Sequence, residues 1–241
     1  MRSTRPVLLC GALLSLVACA DVTAGPTTTT SVGTVLTAVP ASVDTAGDSV
    51  PETGSVGVPG LDDPDAFCAA WAVYGGTLQA IGVAQAFGGL SSLEIARLEV
   101  VASVSLVAAV DAVGRRWPAD ILGDQSVVLT NLIGPYGRRA QKALTMLTDA
   151  GATELQLQQF QQLWDNALRS RRADEPVITL APLPSELEDL VKVVAAQFDA
   201  AVTPFADDPS LNVDSVEVPR TYTYLAEHCP DLASSGLGDA V

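Results

Sequence analysis

His228 is the single histidine, so a Ser–His–Asp relay or a histidine-based metal site would have to be built on it. It stands beside Cys229 near the C-terminus, and neither a G-x-S-x-G nucleophile elbow nor an H-E-x-x-H zinc motif occurs. A surface or helix-end histidine is the expectation. Asp207, Asp208, Asn212, Asp214 and Glu217 crowd one segment with oxygen ligands of the kind Ca²⁺ takes. Counted from Asp208, however, Val213 falls where an EF-hand loop needs Gly, and Pro219 where it needs a bidentate Glu. The segment reads as a solvated acidic loop. There is no Gly-rich phosphate loop and no C-x-x-C pair, which leaves carboxylates as the only plentiful reactive groups. The expectation is a protein that is not an enzyme and carries neither metal nor cofactor.

Two further residue sets could bind a ligand. Arg115-Arg116 and Arg138-Arg139 stand out in an acidic chain, as does Arg169-Arg171-Arg172. The first and third groups fall where helices should end, complementing the helix dipole and reaching into water. Alternatively, Arg115, Arg116, Arg138 and Arg139 converge as an anion contact. Phe67, Trp71 and Tyr74 recur at helical spacing. Such a stripe is either core or the lining of a pocket for an apolar ligand such as haem or lipid. Haem would need an axial ligand, for which Tyr74 or Tyr222 would serve.

The four cysteines divide by position. Cys10 and Cys19 lie in an N-terminal stretch in which Arg2 and Arg5 precede 13 largely apolar residues, Pro6 to Ala18. That is signal-peptide length, short of the roughly 20 residues that span a bilayer. Leu16-Val17-Ala18-Cys19 resembles the lipobox of bacterial lipoproteins. The resemblance implies a diacylglyceryl group on the Cys19 sulfur and cleavage before that residue, placing the mature protein on the outer face of a membrane. Ala18-Cys19-Ala20 also fits an A-x-A site, whose cleavage would release a soluble secreted protein. Cys68 and Cys229 remain, and an even pair in an exported chain reads as a disulfide, with a reactive thiol or metal ligand as the alternative.

The expected organisation is a signal peptide over 1–18, a lipidated disordered tether over 19–61, a helical domain over 62–232 and a flexible tail over 233–241. Residues 20–61 are rich in Thr, Ser, Gly and Pro, with four acids and no base. Such a stretch cannot bury enough surface to offset chain entropy. As a flexible coil it would reach roughly 35 Å.

From residue 62 the pattern turns helical. Asp62-Asp63-Pro64 reads as a helix start, with Phe67, Trp71, Tyr74, Leu78 and Ile81 on one face and Gly75-Gly76 as a kink. Capping boxes at Ser91/Glu94, Thr153/Gln156 and Ser185/Glu188 open three more helices. The first of these runs to about Arg116, and its apolar run Val100–Val110 is too short to span a membrane. Further helices are expected over 119–133 and 136–149, separated by Gly134-Pro135, and over Pro219–Cys229. Pro176–Pro184 reads as an extended connector. The fold class is all-α: one bundle of about six or seven helices.

Asp65-Ala66-Phe67-Cys68-Ala69-Ala70-Trp71 and Tyr224-Leu225-Ala226-Glu227-His228-Cys229 resemble a pattern in small helical envelope proteins of actinobacteria. The resemblance implies a helical fold stapled between its ends and carries no activity. The chain has 28 acids against 13 bases, a net charge of −15. Without residues 1–18 the balance is 28 against 11, or −17. That charge repels nucleic acid and anionic headgroups, so no nucleic-acid partner is expected. The function that fits is a lipid-anchored, non-enzymatic module that binds an envelope protein or wall component. The alternative is a carrier or sensor for a small apolar ligand.

Overall fold

The computed structural model describes residues 57–172, 174–211 and 217–234, with residues 233 and 234 described by their backbone alone. They all belong to one compact unit, Ser49–Val241. The export signal over 1–18, Cys19 and nearly all of the 19–61 tether lie outside the described residues, as does the tail from 235.

Eight α-helices and no β-strand are found among the described residues. They are α1 (Ala66–Phe87), α2 (Ser92–Arg115), α3 (Gln125–Val127), α4 (Gly134–Asp149), α5 (Glu154–Ser170), α6 (Ser185–Ala201), α7 (Pro219–His228) and α8 (Pro230–Ser234). The all-α class holds. Its axis is α2, which packs against α1, α4, α5 and α6. This explains why Val100, Val101, Ala102 and Ser103 are buried in succession: the helix has neighbours on every side. Helix α1 is apolar and long enough to cross a membrane by length and composition alone. Eleven of its 22 residues are instead buried within the bundle, so its apolarity serves the core.

The helix starts follow local chemistry, with three corrections. Ser91 and Glu94 form the complete reciprocal box at α2, and Thr153 and Gln156 do so at α5. The third box is absent. Pro184 occupies the N-cap and Ser185 is already helical, so no side-chain hydrogen bond caps α6. Helix α1 starts later than Asp62-Asp63-Pro64 suggests. Its N-cap is Asp65, whose carboxylate accepts from the Phe67 N–H at 2.7 Å. Gly134 and Pro135 do not separate two helices but are the first two residues of α4, where Pro gives up an N–H the helix would not use. In place of a helix over 119–133 lie a 3₁₀ turn (Ala119–Asp124), the short α3 and a π turn (Val128–Leu132).

The expected boundary at residue 62 also moves. Val58 is buried, and its N–H donates to the Leu168 carbonyl at 2.9 Å. It lies against Gly76 of α1, where a Cβ would come within 2.7 Å of a Val58 methyl. Helix α1 runs unbroken past Gly75-Gly76, and Gly76 admits the close approach of the incoming chain at Val58. The fold starts at least as early as Gly57.

Phe67, Trp71 and Tyr74 belong to a line of aromatic rings running through the core. Phe67 meets Tyr224 edge-on at 5.7 Å and Trp117 at 5.4 Å. The line then passes through Trp71 and Tyr74 to Tyr136 and Phe205 in steps of 5.6, 5.9, 6.3 and 5.8 Å. Edge-on pairs of this kind add about 0.5–1.5 kcal/mol each beyond burial. Trp164 extends the core under α1 and donates its indole N–H to the Thr77 hydroxyl at 2.8 Å. The indole N–H of Trp71 is buried with no partner among the described residues.

Cys68 and Cys229 are joined as a disulfide, with Cα atoms 5.5 Å apart and a sequence separation of 161. Closing so long a loop removes about 4–5 kcal/mol of unfolded-state entropy on the chain-entropy estimate. The staple ties α1 to the end of α7. Helix α7 is also capped from a distance: Asp124 accepts from both the N–H and the hydroxyl of Thr221, at 3.0 and 3.1 Å. That carboxylate satisfies a donor which the helix itself leaves free.

Candidate functional site

Inside the bundle a guanidinium is held by two carboxylates. Glu99 lies on the stripe Ile95, Glu99, Ala102, Leu106, Ala109 that faces the core, and Arg139 lies on the buried face of α4 with Pro135, Ala143 and Leu147. Arg139 donates Nε and Nη2 to the two oxygens of Glu99, at 2.5 and 2.9 Å. Its Nη1 donates to the Thr203 carbonyl at 2.9 Å and to Asp208 at 3.0 Å. Phe198 and Phe205 each bring a ring within 5.6 Å of the guanidinium carbon. Every charged face of Arg139 is thus engaged, as a buried charge requires.

The two carboxylates are pushed in opposite directions. Burial drives Glu99 above the ordinary carboxylate range, against the pull of Arg139. Hydrogen bonds from Ser210, with Arg139 adding to them, hold Asp208 below it. For Arg139, burial opposes the charge, and Glu99 and Asp208 outweigh it. Each Glu99 oxygen accepts one hydrogen bond from Arg139.

Arg139 is one of three donors along α4 that grip the chain after α6. Tyr136 donates its hydroxyl to the Leu211 carbonyl at 3.0 Å, and Lys142 donates to the Ala201 carbonyl at 2.7 Å. Positions 136, 139 and 142 share one face at i, i+3, i+6. They anchor residues 201–211, including two 3₁₀ turns (Phe205–Asp207 and Pro209–Leu211), onto the bundle.

Between this anchored loop, the start of α2 and the end of α1 lies a cleft of about 220 Å³. Ile95 and Ala96 line it from α2, Val202, Pro204 and Phe205 from the loop, and Glu99 and Arg139 border it. Gln85 and Leu90 line it from the α1–α2 corner, and Asp199 and Asp207 add two further acids. Within that corner, between Gln85 and Leu90 in sequence, Phe87 is 77% exposed, and Leu93 just beyond is 43% exposed. On the inner side of Arg139 only about 10 Å³ is empty, at the limit of one water. Two other surface grooves are wider and open. One, of about 370 Å³, runs along α7 past Arg220, Tyr224 and His228. The other, of about 440 Å³, lies by Gly60, Asp62 and Arg169.

Phe67, Trp71 and Tyr74 are at most 1% exposed and border none of these openings. They fill the core rather than line a pocket. The Tyr74 hydroxyl reaches the Leu132 carbonyl at 3.5 Å, and burial raises its pKa well above the ordinary tyrosine value. The four arginines do not converge. Arg139 is buried on Glu99, whereas Arg115 is exposed and pairs with Asp111 at 3.1 Å, some 16 residues or roughly 24 Å further along α2. Arg116 and Arg138 are exposed. The expectation that the 169–172 group reaches into water fails at Arg171, which is buried.

His228 is exposed and stacks on Tyr224 with ring centroids 4.3 Å apart. Asp208 of the acidic loop faces Arg139 and Ser210, while Asn212 and Asp214 lie outside the described residues. Glu99 was legible and overlooked: a carboxylate on a stripe of apolar residues demands a buried cation. No family model matches the chain, and no match to a curated protein or a solved structure is found.

Proposed function

We propose that this protein is a lipid-anchored, non-enzymatic interaction module displayed on the outer face of a membrane. In this reading Cys19 carries the lipid and residues 20–56 form the tether. The cleft at the α1–α2 corner seats an apolar side chain of an envelope protein. One observation carries the binding part of the reading. The aromatic core around Trp71 is filled, and the cleft at the α1–α2 corner, lined by Leu90, Ile95 and Phe205, holds about 220 Å³. Pockets that enclose a whole small ligand typically measure about 300–1,000 Å³, so this one suits a side chain better than haem or a lipid.

The rim indicates the partner's chemistry. Asp199, Asp207 and Glu99 border the cleft, while its single cation, Arg139, is already neutralised by two carboxylates. A segment that offers an apolar residue beside a Lys or Arg complements it. The anchored loop supports a binding role because it holds the cleft wall in place before a partner arrives, which lowers the ordering cost of association.

A photo-crosslinking residue at position 85, compared with one at the exposed Gln158 of α5, tests this reading in cells. The expected result is a discrete adduct to one envelope protein from position 85 only, abolished by Leu90→Asp in the cleft lining. Equal adducts from both positions, or a small apolar molecule retained with the purified chain, would favour the carrier reading instead.

A further inference from the structure

The open groove along α7 has two walls fixed by the fold. One is α7 itself, tied at its end by the Cys68–Cys229 disulfide and at its start by Asp124. The other is the 3₁₀ turn Ala119–Asp124, where the Ile121 carbonyl accepts from the Trp117 indole N–H at 2.9 Å. Both walls rest on Phe67, which meets Tyr224 and Trp117 edge-on. Tyr224 and His228, one helical turn apart, form an aromatic stack at 4.3 Å, and both rings line the groove. The Tyr224 hydroxyl donates to Asp65 at 3.5 Å, which holds the stack to the start of α1. The space is about 370 Å³, within the range of about 300–1,000 Å³ typical of small-ligand sites.

Arg220, Asp120 and Glu227 line the same groove, and none of them has an opposite charge within ion-pair distance among the described residues. Arg220 stands at the start of α7 and lies over Gly123, where a Cβ would come within 2.8 Å of its Nη1. Glu227 is two turns further along the same helix, about 10 Å away along the axis. Asp120 stands on the opposite wall. Burial, then Asp65 and then Asp120 raise the Tyr224 pKa, so the charge of Asp120 reaches the aromatic stack. The groove thus offers one open cation, an aromatic stack and two open acids.

We propose that this groove binds a short zwitterionic peptide, with its carboxylate on Arg220 and its ammonium at Asp120 and Glu227. A guanidinium edge matches the two oxygens of a carboxylate. An ammonium gains from the two acids and from the face of an aromatic ring. Three extended residues separate the charged ends of a peptide by about 10 Å, the spacing of Arg220 and Glu227 along α7. The middle side chain then falls against Tyr224 and His228. The groove shares no lining residue with the cleft at the α1–α2 corner, so this site does not rest on the function proposed for that cleft.

The test follows the ring resonances of His228 by NMR, which belong to the single histidine and need no further assignment. It uses the mature chain with Cys19→Ala to keep it in solution. The probe is alanyl-leucyl-alanine with free ends, titrated at constant ionic strength beside its N-acetyl form and its C-terminal amide. The expected result is a saturable shift with the free peptide, and about fivefold weaker binding when either end is blocked. These arms use the unaltered groove, so they do not depend on whether a variant folds. Arg220→Gln should then bind the free peptide and its amide equally. Asp120→Asn with Glu227→Gln should bind the free and acetylated peptides equally. No saturable shift with the free peptide overturns the proposal. So does an amide that binds the unaltered groove as tightly as the free peptide, which marks a site for cations alone, or an acetylated form that does, which marks a site for anions alone.

Discussion

Arg139 and Glu99, 40 residues apart in sequence, form a bidentate ion pair in the interior, and Asp208 of the following loop closes the third side. Because the pair joins α2 to α4 and both of its members border the cleft, one buried charge serves both core and surface. Removing a single member leaves the rest uncompensated. Arg139→Ala should lower unfolding free energy by about 3–5 kcal/mol, whereas Arg139→Met combined with Glu99→Leu should recover most of the loss. Urea midpoints of the three chains check this. An equal loss in the single and double variants would mean that the site depends on shape alone.

Asp208 gives the loop a pH dependence with a definite sign. Its pKa is lowered in the fold, by Ser210 first and then by Arg139, from an ordinary value of 3.8. A lowered carboxylate contributes stability that is complete above the unfolded value and drains away as pH falls through the folded one. Denaturation midpoints should therefore fall more steeply below about pH 4 in the wild type than in Asp208→Asn. Glu99, raised by burial, works the other way: it favours the fold below its unfolded value and loses that contribution as pH rises through the folded one. Parallel curves for wild type and Asp208→Asn would show that the Asp208 carboxylate is not coupled to folding.

Gly76 and Val58 test where the domain begins. Gly76→Ala places a methyl within 2.7 Å of the Val58 side chain and should cost about 1–3 kcal/mol, with Val58→Ala restoring part of it in the double variant. A neutral Gly76→Ala would show that residues 57–61 do not pack on α1 in solution.

The long helices and their order could be read from the sequence because capping and periodicity are local, whereas the short turns over 119–132 and the short α8 could not. Ser91/Glu94 and Thr153/Gln156 each satisfy backbone donors within one turn. The Ser185/Glu188 pattern had the same letters, but the preceding Pro184 took the cap position. The cysteine pair was legible by counting. The candidate site was not, because its members come from α2, α4 and a loop, and only the fold brings Glu99, Arg139 and Asp208 together. The pairs Arg138-Arg139 and Arg171-Arg172 show the limit most clearly. In each pair one neighbour is exposed and the other buried, and helical phase or chain path decides which.

We propose that this helical module is exported and held by lipid on Cys19, the address that an envelope partner requires. Its most direct test is the intact mass of the mature chain recovered from the membrane fraction. The expected result is a chain beginning at Cys19 with a diacylglyceryl adduct, and an unanchored or unprocessed chain for Cys19→Ala. An unmodified chain beginning at Asp21 and found in the medium would contradict it.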